Sequence, residues 1–243
     1  MIEINLYNRT ITHADERTAF FFIADLSSVD AKGYDRRVLS PDNPPNTITG
    51  DDITCVNTTM MARTPRHAWK PFIDSKDTLS WLTALDPSWD LLEMDDGAWS
   101  GSGCEGRLEA AFKALMGPFR TTAVTTKVLA LKRPKLIPIC DSFVSDMVGG
   151  KPGDYHAKTD LILEVRKVGR DNLAALQEID GRLRTIGIKR TLVRILDGLL
   201  WSEYMDAGRY AEFGKWLIQY RSGRLFFSAT MVLPPQPLRD THR

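Results

Sequence analysis

The sequence lacks any apolar run long enough for a membrane. Its longest uninterrupted stretch, Ala19 to Ala24, falls far short of the roughly 18 residues a spanning helix requires. No positively charged start followed by an apolar segment comes after Met1, so the expected location is the cytoplasm. Cysteine is scarce: Cys55, Cys104 and Cys140 lie far apart with no C-x-x-C pair, which excludes a disulfide framework and an iron–sulfur cluster. The histidines His13, His67, His156 and His242 show neither H-x-x-x-H nor H-E-x-x-H spacing, and no metal site is expected. A phosphate-binding G-x-x-x-x-G-K-[ST] loop, a dinucleotide fingerprint after a strand and a G-x-S-x-G elbow are all missing. P-loop nucleotide hydrolysis, Rossmann redox chemistry and α/β-hydrolase catalysis are therefore not indicated, and no cofactor is implied.

What is present is an ordinary globular balance, 43% apolar and 26% charged over 243 residues, enough chain for a full core. The net charge of +1 hides an asymmetry. Residues 1–120 carry 12 Lys and Arg against 18 Asp and Glu, a balance of −6; the remainder carries 20 against 13, or +7. A polyanionic partner would sit on the C-terminal half. The expected organisation is a single helical domain over 1–243, or two lobes with a cleft between them, an acidic one over about 1–115 and a basic one over 116–243.

Helical spacing dominates. Ile53, Val56, Met60 and Met61 follow the start signals Thr49 to Asp52; Leu108, Ala111, Phe112 and Leu115 form a second stripe, Leu173 to Ile186 a third and Leu192 to Tyr204 a fourth. Further helices are expected over 13–27, 75–85, 122–133, 142–149, 155–168 and 208–220. Strand patterns are confined to Glu3 to Leu6 and Leu225 to Val232, which either pair as a minor ribbon or lie as extended tails. Loops are expected at Ser40 to Gly50, rich in Pro and Asn, at the Gly-rich Asp95 to Gly106 around Trp99, and at Gly149 to Gly153; the tail after Pro234 is expected to be loosely ordered. The fold class is mostly α.

The segment richest in chemistry is 120–146, RTTAVTTKVLALKRPKLIPICDSFVSD. Its first helix ends at Arg133-Pro134, Pro138 keeps the next stretch extended, and Asp141 precedes a second apolar-periodic segment. That position puts the carboxylate at a helix N-terminus, where the macrodipole and free N–H groups favour its charged form. Lys127, Lys132, Arg133 and Lys135 crowd four cations just before it, a surface on which a phosphate backbone can dock. By spacing alone the plainer reading has the stronger claim: Asp141 is a helix cap and the cations solvate a helix end.

The blocks K-x-x-x-x-K-R-P and P-x-x-D-S-x-V resemble those of a family of uncharacterised bacterial proteins over most of the chain. Over about residues 115–148 the pattern is also similar, more distantly, to helix-hairpin-helix DNA glycosylases. That resemblance implies a helix-hairpin-helix glycosylase-like fold in which Asp141 is the catalytic carboxylate. It implies that the turn near Gly117 to Ala123 grips double-stranded DNA through Arg120, Thr121 and Thr122, with Lys132, Arg133 and Lys135 on further phosphates, and that Lys127 is the candidate Schiff-base lysine. The hairpin glycines are replaced here, since the stretch reads Phe119, Arg120, Thr121, Thr122, Ala123.

Cleaving an N-glycosidic bond builds positive charge on the sugar, which a fixed carboxylate stabilises or, by activating water, helps to quench. The base must also leave the duplex for an apolar or aromatic pocket. Trp99 is read either as a wall or lid of that pocket or as a cap over the core, whereas Trp69, Trp81, Trp201 and Trp216 fall in helical patterns and are expected in the core. The substrate would be a damaged base or a modified base of invading phage DNA. Two other classes remain at this stage: a non-catalytic DNA-binding module and a structural, partner-binding helical protein.

Overall fold

The computed structural model describes residues 1–204 apart from 8, 28–32, 61, 63, 65, 75–78, 102, 120 and 149–158. Expectations for Arg120, the Gly149 to Gly153 turn, Trp216, the helix over 208–220, Leu225 to Val232 and the tail after Pro234 lie outside the described residues.

The described chain is mostly helical, with one small ribbon: β1 (Ile4–Asn5) pairs antiparallel with β2 (Thr10–Ile11), Ile4 opposite Ile11. The first strand therefore finds a local partner that alternation over two residues was too short to reveal. The helices follow as α1 (Ala14–Ser27), α2 (Tyr34–Val38), α3 (Gly50–Thr59), α4 (Arg66–Asp74), α5 (Ser80–Thr83), α6 (Asp96–Gly101), α7 (Cys104–Phe119), α8 (Thr122–Lys132), α9 (Ser142–Met147), α10 (Asp160–Asp171), α11 (Leu173–Thr185) and α12 (Leu192–Tyr204).

Local chemistry sets several boundaries. Thr49 and Asp52 form a reciprocal capping box that starts α3. Thr121 Oγ1 accepts from the Val124 N–H and starts α8. After α11, Gly187 takes the left-handed conformation (φ 80°), the Ile188 N–H reaches the Leu183 carbonyl and the Gly187 N–H that of Arg184. This is a Schellman stop, with Ile188 and Leu183 both buried.

One hydrophobic core is shared by elements from both halves of the chain. The N-terminal α1 packs on α11 and α12, while α2 and α3 pack on α8. Gly198 on α12 permits a close approach of α1, because a Cβ there would stand 2.8 Å from a Phe21 ring carbon. No helix among the described residues is long and apolar enough to cross a membrane.

Candidate functional site

The K-R-P block turns inward. Arg133 is 1% exposed. Its Nε donates to the Leu85 carbonyl, Nη1 to those of Pro45 (2.6 Å) and Lys132 (2.8 Å), and Nη2 to the Leu82 carbonyl (2.6 Å) and Asn46 Oδ1 (2.8 Å). All the donors of the guanidinium are thereby satisfied. Lys132 Nζ lies 2.6 Å from Asp52 Oδ2 and donates to Asn43 Oδ1 (2.6 Å) and the Pro44 carbonyl (3.1 Å). Burial lowers the pKa of both cations, that of Arg133 to about 10. The expectation that Lys132 and Arg133 lie on DNA phosphates is corrected: both hold the Pro- and Asn-rich segment 43–46 and α3 against the end of α8, and neither offers a free donor. Thr122 is also buried, and Thr121 is spent as a helix cap at the surface. Lys135 is exposed.

Trp99 is likewise not a pocket wall. The Gly-rich stretch forms α6, started by the Asp95 carboxylate accepting from the Ala98 N–H (2.6 Å), and Trp99 is 4% exposed in the core with the Arg166 guanidinium over its ring. Arg166 is in turn held 2.6 Å from Asp96. Of the two readings of this tryptophan, the cap over the core is the one the structure has.

Lys127 and Asp141 lie on adjoining segments, near enough for the charge of one to act on the other. Thr126, next to Lys127 on α8, accepts from the backbone N–H of Cys140, next to Asp141, at 3.0 Å. Asp141 lies at the start of α9, its Oδ1 accepting from the Val144 N–H at 3.1 Å. Both side chains are half-buried. Lys127 Nζ donates to the Met60 carbonyl (3.0 Å), and burial lowers its pKa, opposed by the charges of Asp141 and Asp197. A lowered ammonium pKa favours the neutral amine that a nucleophilic lysine needs.

Behind this pair stands a buried charge cluster that hydropathy patterning had absorbed into the stripe of α12. Arg194 grips Asp35 through Nε–Oδ1 (2.8 Å) and Nη2–Oδ2 (3.3 Å) and also binds Asp197. Arg190 Nε lies 3.4 Å from Asp35 Oδ2. Tyr34 donates to the Lys127 carbonyl at 2.7 Å, tying α2 to α8. Burial raises the Asp197 carboxyl to about 7, with Arg194 working against the rise and Asp141 adding to it. The available signal was an aspartate among Ile195, Leu196, Leu199 and Leu200, where a core helix has no ordinary use for a charge.

Burial raises the thiols of Cys140 and Cys104, the latter to about 11, so both are poor nucleophiles. Among the described residues no group of three or more His, Cys, Asp and Glu side chains is placed to hold a metal ion.

A family model matches residues 18–204, which contain all of these groups. The chain belongs to DUF6308, a family of unknown function. No curated protein and no solved structure matches it.

Proposed function

We propose that this member of DUF6308 is a hydrolase of N-glycosidic bonds acting on a damaged or modified base in DNA. The observation that carries the reading is the Thr126 to Cys140 hydrogen bond, which sets the segment of Lys127 against that of Asp141, itself at the start of α9. A half-buried carboxylate fixed by a backbone N–H is a preorganised negative charge, which stabilises an oxocarbenium-like sugar without reorganising. The neighbouring lysine is the nucleophile of a lyase step if one follows. Support also comes from the order of elements expected of a glycosylase-like segment: helix α7, a short connection, helix α8, a proline-containing link, and an aspartate at the next helix. DNA contact rests on Lys135 and the basic C-terminal half rather than on Lys132 and Arg133.

A second reading is a helical scaffold in which Asp141 is only a cap. The Val144 to Asp141 bond and the inward-facing K-R-P cations favour it. The deciding experiment measures base release and alkali-labile strand cleavage on duplexes containing uracil, alkylated, oxidised, hydroxymethylated and glucosylated bases, with wild type beside Asp141→Asn. Asparagine is itself a good N-cap, so this substitution keeps the cap and removes the charge. Release that disappears in Asp141→Asn supports the hydrolase; no release from any duplex by wild type supports the scaffold.

A further inference from the structure

Lys127 Nζ donates to the carbonyl of Met60, the residue that closes the C-terminal end of α3. A helix C-terminus favours a cation, so this acceptor already selects the ammonium over the amine. Two carboxylates act in the same direction, Asp141 at the start of α9 and Asp197 on α12, while burial works against them. The second carboxylate is fixed from several sides. Asp197 is 3% exposed and is bound by Arg194, whose Nε and Nη2 reach across to Asp35 of α2 and whose guanidinium carbon lies 5.6 Å from the centre of the Tyr34 ring. Tyr34 in turn donates to the backbone carbonyl of Lys127 at 2.7 Å, and α9 packs on α12. A continuous chain of contacts therefore joins Asp197 to the segment of the lysine.

Asp197 faces Arg194 of its own helix, Asp35 of α2 and Asp141, and Lys127 faces Asp141 and Asp197. Tyr34 and Cys140 stand in the same cluster, but burial raises both well above their ordinary values, so neither carries charge near neutral pH. Arg194 is shared: Asp35 takes two of its nitrogens and faces Arg190 as well. A side chain needed only to hold Arg194 could be an asparagine, whose amide oxygen accepts the same hydrogen bond. What the carboxylate adds is a charge that acts on Lys127. We propose that Asp197 is a positioning residue of the Lys127 and Asp141 site, keeping Lys127 an ammonium so that base release ends in transfer to water and no covalent bond forms through the lysine. This inference rests on the hydrolase reading and narrows it to hydrolysis without a lyase step. The C1′–N bond breaks with its electron pair on the departing base, the oxygen of water bonds to C1′, and the water proton passes to Asp141 and on to the base. With its carboxyl at about 7, Asp197 is ionised above neutral pH, the range in which a lysine would otherwise lose its proton.

The test is an NMR titration of the full chain with carbon-13 at lysine Cε and aspartate Cγ, the Lys127 signal being identified by its loss in Lys127→Arg. Wild type is expected to hold Lys127 as an ammonium through pH 8, and Asp197→Asn to weaken its proton affinity at least about threefold. Because Asp197 is buried, Lys127→Met serves as a second variant. Linkage is reciprocal, so removing the half-buried cation is expected to raise the proton affinity of Asp197 by a similar factor, at least about threefold. A neutral amine at Lys127 in wild type at pH 8, an unmoved Lys127 midpoint in folded Asp197→Asn, or an unmoved Asp197 midpoint in Lys127→Met would each overturn the proposal. Borohydride reduction of wild type on a duplex carrying an abasic site, at pH 7.5, supplies a chemical readout. No adduct at Lys127 is expected, and an adduct that disappears in Lys127→Met would overturn the proposal. The titration needs no substrate, so failure of the hydrolase reading shows itself separately, as no base release from any modified duplex beside the expected Lys127 and Asp197 midpoints.

Discussion

At Arg133 every N–H meets an oxygen, and none of those oxygens belongs to a carboxylate. Removing the side chain leaves buried carbonyls of Leu82 and Leu85 and the 43–46 segment without donors. Arg133→Ala is therefore expected to lose about 3–5 kcal/mol in urea unfolding, with little recovery in Arg133→Lys, whose ammonium lacks the fork. A phosphate contact would behave oppositely, leaving stability alone and weakening DNA binding. Asp197 gives a second test at this scale. Its folded pKa of about 7 lies above the roughly 3.9 of an unfolded aspartate, so between those values the native state holds more proton than the unfolded one. Stability from this group is thus present in full below about pH 4 and declines as pH rises towards 7, by up to about 4 kcal/mol. Asp197→Asn should flatten that slope in denaturant midpoints measured from pH 4 to 7.5; an unchanged slope would place the titration elsewhere.

Among the elements, the long helices and the six-residue α9 were legible, whereas α2 and α6 were not. The stripes of α3, α7, α11 and α12 repeat for several turns, and Thr49 to Asp52 announced the start of α3, because periodicity and capping act locally. The five residues of α2 and six of α6 complete fewer than two turns, too few to establish a period, and the glycines around Trp99 read as a loop. In α4, Ala68, Trp69, Phe72 and Ile73 share a face, but Pro71 inside the helix masked it. The candidate site was half legible. Asp141 at a helix start and Lys127 before it follow from local pattern, whereas the direction in which Lys132 and Arg133 point depends on where the distant 43–46 segment docks. Two substitutions probe the element junctions. Thr121→Ala removes the cap of α8 and is expected to cost about 1 kcal/mol. Gly198→Ala drives a methyl group to within 3 Å of the Phe21 ring, itself packed on Phe22 and Trp201, and is expected to cost about 1–3 kcal/mol in thermal or urea unfolding despite alanine's better helix propensity.

For the molecule as a whole, the polar interior divides into two groups with different duties. The Arg37, Asp52, Lys132 and Arg133 group fastens an irregular segment to the core and is sealed by its own partners. The Lys127, Asp141 and Asp197 group is less complete, since Lys127 and Asp141 are only partly buried. Incompleteness of this kind is expected where charge is kept for a substrate rather than for stability. The most direct measurement compares wild type with Asp141→Asn in two readouts on the same preparations, the urea midpoint and single-turnover base release from the modified-base duplexes. A midpoint within about 0.5 kcal/mol of wild type together with a loss of release of at least about a hundredfold is the expected result. Equal release by the two proteins, or a lowered midpoint with no release by wild type, would contradict a catalytic Asp141.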